Sequence, residues 1–65
     1  MTVNIEGLGK ITASKYVLRA LSIAFSNSAT YYMKGDKFSL SEQEQDRSDA
    51  IYTELLKVGY YDNVE

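Results

Sequence analysis

Between Glu6 and Thr12 the chain reads Glu-Gly-Leu-Gly-Lys-Ile-Thr, and face parity around its two glycines restricts the fold more than any other stretch. The segment is the tip of a β-hairpin. With Gly7-Leu8-Gly9 as a three-residue loop, Glu6 pairs with Lys10, Ile5 with Ile11, Asn4 with Thr12 and Val3 with Ala13. Apolar residues then meet apolar residues, and the outermost pair carries opposite charges, as cross-strand energetics favours. A two-residue loop would pair Ile5 with Thr12 and Glu6 with Ile11, placing the apolar sets on opposite faces. A three-residue hairpin closes through a residue in the left-handed region, which Gly9 enters without a Cβ penalty.

Sixty-five residues make one small domain, and a chain of this size buries only about 60 % of its unfolded surface. Small domains compensate with disulfides, a structural metal or oligomerisation. This sequence has no cysteine and no histidine, which removes disulfides, thiolate nucleophiles, Ser-His and Cys-His catalysis and structural zinc. Self-association or binding to another protein is the remaining source of buried surface. No cofactor or metal is expected, and no enzyme. The N-terminus lacks a secretory pattern, and no apolar run nears the roughly 20 residues of a membrane span. The expectation is a soluble cytoplasmic protein without a membrane partner.

The net charge of −2 hides an asymmetry. Residues 1–38 hold Lys10, Lys15, Arg19, Lys34 and Lys37 against Glu6 and Asp36, a net of +3. Residues 39–65 hold Arg47 and Lys57 against Glu42, Glu44, Asp46, Asp49, Glu54, Asp62 and Glu65, a net of −5. Two solvated helix faces of opposite sign account for this pattern, which bears on association and solubility rather than fold.

Hairpin residues 2–13 lead to Ser14, an N-cap, and a helix over residues 14–33 whose first turn opens at Lys15. Its apolar residues form two neighbouring stripes: Leu18, Leu21, Phe25, Ala29 and Tyr32, and then Val17, Ala20, Ala24 and Tyr31, with Ile23 nearby. Together they exceed the roughly 100° arc of an ordinary surface helix, and one small chain has too little else to enclose them. Val17, Leu21, Ile23 and Phe25 are therefore the expected oligomer interface. Gly35 reads as the residue just past the helix, with Lys34 at the negative end of the dipole. Ser39-Glu42 and Ser41-Glu44 are overlapping capping boxes, and Ser41 is the better cap for a helix over 41–58. Gly59 ends it, with Tyr60 placed to pack back on Leu55. The expected fold is α+β, a ββαα chain of one domain that assembles with itself.

Three constellations bear on function. Glu42, Asp46 and Asp49 share a helix face, without the spacing of a calcium loop, and read as a solvated acidic patch. Six tyrosines among 65 residues are unusual, and tyrosine is enriched in binding surfaces. Adjacent residues cannot both face one core, so the pairs Tyr31-Tyr32 and Tyr60-Tyr61 are the candidate contacts for a protein partner. Lys15, Tyr16 and Arg19 sit where the hairpin meets the first helix, a combination suited to an anionic ligand. Gly7-x-Gly9 lacks the rest of a phosphate-loop fingerprint.

The pattern Val-x-Ile-x-Gly-x-Gly-x-Ile over Val3–Ile11, a Ser-Lys helix start and a late Leu-Leu-x-x-Gly-Tyr resemble small accessory proteins of tailed bacteriophages and prophages. That resemblance implies a short inhibitor of a bacterial immune system or host enzyme. The leading expectation is a non-enzymatic homo-oligomer, a dimer, that binds and blocks a host or defence protein. An oligomeric sponge for a small nucleotide signal, using Lys15, Tyr16 and Arg19, is the first alternative. A strand-helix-helix DNA-binding regulator is the second. It is opposed by the outer strand face, where Glu6 beside Thr2 and Asn4 would repel phosphate.

Overall fold

The computed structural model describes residues 1–61. Strands β1 (Thr2–Ile5) and β2 (Gly9–Thr12) form an antiparallel hairpin, followed by helices α1 (Lys15–Lys34) and α2 (Phe38–Lys57). The ββαα order expected from the sequence is present. The register differs from the expected one by two residues. Ile5 pairs with Gly9, Asn4 with Lys10, Val3 with Ile11 and Thr2 with Thr12, so Ile5 does not face Ile11 and Glu6 does not face Lys10. Parity cannot separate the two registers, because a slip of two leaves every side chain on its original face.

Backbone geometry of the tip decides between them. The loop is Glu6-Gly7-Leu8, and Leu8 donates its amide to the Ile5 carbonyl at 2.9 Å. Gly7, third residue of that turn, has φ +86°, as a type II turn requires. Gly9 also has a positive φ, +87°, so both glycines are used where the sequence argument needed one. The Thr2 and Thr12 hydroxyls meet across the ladder at 2.8 Å.

Ser14 caps α1, its Oγ accepting the Val17 amide at 3.2 Å. The other end departs from expectation. Gly35 is the C-cap at φ −91°, and Asp36 occupies the left-handed position at φ +60°. Lys37 donates to the Tyr32 carbonyl at 2.9 Å and Asp36 to that of Met33 at 3.1 Å, the two bonds of a Schellman motif. This turn reverses the chain within three residues, so α2 begins at Phe38 rather than after Ser41, with no side-chain cap. The far end of α2 follows the sequence: Gly59 has φ +74°, Tyr60 donates to the Leu55 carbonyl at 3.0 Å, and its side chain packs on the core.

Val3, Ile5, Leu18, Ile51 and Leu55 form the buried core. The hairpin lies against α2, and α1 joins the core through its side chains. Between the helices the seam is made of small residues. Ser22, Ala29, Ser41 and Ser48 are buried there, with Ser48 Oγ donating to the Ser22 carbonyl at 2.9 Å and Ser41 Oγ to that of Ala29 at 2.7 Å. Ser41 is thus a bridge between helices and not a cap. Buried polar groups of this kind are tolerated when their hydrogen bonds are made.

Candidate interaction surface

At 100° per residue, the buried positions Leu18, Ser22 and Ala29 define the side of α1 that meets α2. Val17, Ala20, Ala24, Ser28 and Tyr31 fall on one stripe roughly 135° around the helix from that seam. Ala20 and Ala24 are exposed, Ser28 is half-buried, and Val17 and Tyr31 are 56 % and 75 % exposed. No charged residue occurs in α1 between Arg19 and Lys34. Solvent thus meets an uncharged helix face over most of its length, where an exposed helix usually carries charge.

The four residues expected to form the oligomer interface do not share this face. Leu21 and Phe25 are half-buried against the chain's own core. Val17 and Ile23 are exposed but lie about 120° apart around the helix. Only Val17 belongs to the stripe. The signal that separates them is which stripe α2 takes, a tertiary fact that α1's own periodicity does not carry.

Tyr31 points outward and Tyr32 is half-buried, as the pair argument required, with their rings edge to face at 5.9 Å. Tyr60 and Tyr61 do not divide that way: both are half-buried and both pack on the core. Neither is therefore the outward member that the pair argument expects, and Asp62, which follows them, lies outside the described residues. Instead Tyr61 packs between Tyr52, tilted at 5.2 Å, and Tyr60, edge to face at 5.0 Å, and Tyr60 meets Tyr16 at 6.1 Å. The Arg19 guanidinium lies 5.6 Å above the Tyr61 ring and Lys15 Nζ 5.5 Å above that of Tyr16. The expected anionic-ligand residues Lys15, Tyr16 and Arg19 thus meet Tyr60 and Tyr61, which the sequence assigns to a protein partner, and through Tyr61 they adjoin Tyr52.

Two open grooves flank the helices. One, of about 360 Å³, runs from Arg19, Tyr52 and Tyr61 past Ser26 to Gln45 and Asp49. The other, of about 600 Å³, lies between the hairpin tip and α2, lined by Asn4, Glu6, Glu42, Asp46 and Arg47. The acidic patch expected on α2 is divided between them, Asp49 in the first and Glu42 with Asp46 in the second. Among the described residues no three acidic side chains gather to hold a metal ion, and no helix is long and apolar enough to cross a membrane.

Beneath the hairpin tip, Arg47 Nη1 is 3.6 Å from Glu44 Oε2, both side chains being mostly buried. Arg47 Nε and Glu44 Oε2 have no hydrogen-bond partner among the described residues. A Cβ on Gly7 would come within 3.1 Å of Arg47 Nη2, so the guanidinium occupies the space that a glycine leaves open. Compared with protein-family models, curated proteins and solved structures, the chain matches none.

Proposed function

We propose that this chain is a non-enzymatic interaction protein, active as a homo-oligomer, that binds and blocks a second protein. A phage-encoded inhibitor of a bacterial host or defence protein, acting in the host cytoplasm, is the form of that reading the sequence style supports. One observation carries it. Among the described residues eleven large apolar side chains are exposed and five are fully buried, and α1 alone exposes Tyr16, Val17, Ile23, Tyr31 and Met33. Scattered exposed apolar residues are ordinary; an uncharged helix face that carries Val17 and Tyr31 at its two ends is a surface that association would cover. Sedimentation equilibrium at micromolar concentration tests the first half, a mass of 7.3 kDa counting against it. Capture of a bacterial protein whose own activity falls when the chain is added tests the second.

The anionic-ligand reading gains from one feature, the Arg19 guanidinium held over Tyr61 beside Tyr16 and Tyr60. Asp49 on the wall of the same groove opposes a highly charged ligand. Nucleotide released by heating the purified protein would move this reading to first.

A further inference from the structure

Five residues on the open face of α1 form a size palindrome. Val17 and Tyr31 are large, while Ala20, Ala24 and Ser28 between them are small. The positions are symmetric about Ala24, and all five lie on the stripe turned away from α2. A closed twofold interface is self-complementary, residue i meeting residue j while j meets i. If two copies of α1 run antiparallel with the axis at Ala24, Val17 meets the second copy's Tyr31, Ala20 meets its Ser28, and Ala24 meets its Ala24. Small residues then face each other at the centre, where helix backbones approach most closely, and a tyrosine closes each end over a valine.

We infer that the unpartnered face of α1 is the contact between two copies of this chain, packed antiparallel about Ala24. The inference rests on the homo-oligomer reading above and supplies its geometry. Three features favour a second copy as occupant. The size pattern matches itself in reverse, which a dissimilar partner would not require. No charge lies between Arg19 and Lys34, so the stripe is desolvated without burying an ion, which is costly when unpaired. Antiparallel helices also oppose their dipoles, whereas a parallel pair would align them. The parallel pair would moreover set Tyr31 on Tyr31 and Val17 on Val17, overfilled at one end and underfilled at the other.

The absence of native cysteine makes crosslinking a direct test. Ala24→Cys, exposed in the single chain, should form a covalent dimer on mild oxidation, shifting the mass from 7.3 kDa to twice that value with helical circular dichroism retained. Mixed Ala20→Cys and Ser28→Cys proteins should crosslink to each other in clear excess over Ala20→Cys with itself. Thr53→Cys, on the exposed side of α2, should stay uncrosslinked. Self-crosslinking of Ala20→Cys as readily as the mixture overturns the antiparallel arrangement. A sedimentation dimer in which no α1 cysteine crosslinks overturns this surface and leaves homo-oligomerisation standing. A folded monomer of 7.3 kDa that no oxidant joins overturns both and leaves the face to a partner of different sequence.

Discussion

Ser41, near the start of one helix, donates a hydrogen bond from its hydroxyl to the carbonyl oxygen of Ala29 on the other, 2.7 Å away. With the Ser48–Ser22 bond it fixes how closely and in which register the helices lie. Ser41→Ala and Ser48→Ala should each cost about 1 kcal/mol, the net value of such a bond when the helix carbonyl keeps its own partner. Ser41→Leu should cost about 1–3 kcal/mol, since a larger side chain must separate the helices. Urea denaturation at fixed protomer concentration measures both.

The two helix ends make a matched comparison. Asp36 and Gly59 hold the same position in two Schellman motifs, at φ +60° and +74°. Asp36→Gly should stabilise by about 0.5–1 kcal/mol, the relief of an L-residue in the left-handed region less the added freedom of the unfolded chain. Gly59→Ala should destabilise by about 1 kcal/mol for the converse reason. Equal effects of the same sign would show that these dihedrals do not govern the turns.

At the hairpin tip the two glycines should respond differently. A Cβ on Gly9 meets nothing within 4 Å, so Gly9→Val should cost about 1–2 kcal/mol through backbone conformation alone. Gly7→Ala adds to a similar backbone cost the displacement of the Arg47 guanidinium. Arg47→Met should remove that second component, and the double variant shows the difference as a coupling between the sites.

Arg47→Met in the native hairpin should itself cost about 1–2 kcal/mol, because the Glu44 carboxylate is left mostly buried without its cation. Adding Glu44→Gln should recover most of that loss. A double variant no more stable than Arg47→Met alone would mean that the arginine acts through its packed stem.

Tyrosine substitutions separate binding from packing. Tyr31→Ala should leave the melting temperature of the separated protomer almost unchanged and weaken association by about 1–2 kcal/mol. Tyr60→Ala and Tyr61→Ala should each lower protomer stability by about 1–2 kcal/mol, since both rings pack on the core and on each other. The dilution midpoint of the sedimentation profile and the urea midpoint read the two effects independently.

Local signals in the sequence were legible where the chain needed nothing beyond itself. Ser14 before the first helix and Gly59-Tyr60 after the second carry capping geometry within a few residues, and both were read correctly. The hairpin's faces were legible and its register was not, since registers two residues apart bury the same side chains. Ser41 misled because Ser-x-x-Glu fits a cap, while its hydroxyl is taken up by Ala29. A better signal was the spacing of Ser41, Ser48, Ile51 and Leu55, which recurs as one helix face. On α1 both stripes were visible, but their roles depend on which one α2 covers. Leu21 and Phe25 were therefore assigned outward when they point to the core, and of the Ala20-Ala24 stripe only Val17 was placed in the interface.

The serine-lined seam has a calorimetric consequence. Hydroxyl-to-carbonyl bonds hold the helices while removing little apolar surface from water, and exposure of apolar surface is what raises the heat capacity on unfolding. The separated protomer should fall below the about 12–15 cal/mol/K per residue of ordinary domains and melt over a broad temperature range. Covering the Val17–Tyr31 stripe in the proposed dimer would add the missing apolar area, so the transition should sharpen and move upward as protein concentration is raised.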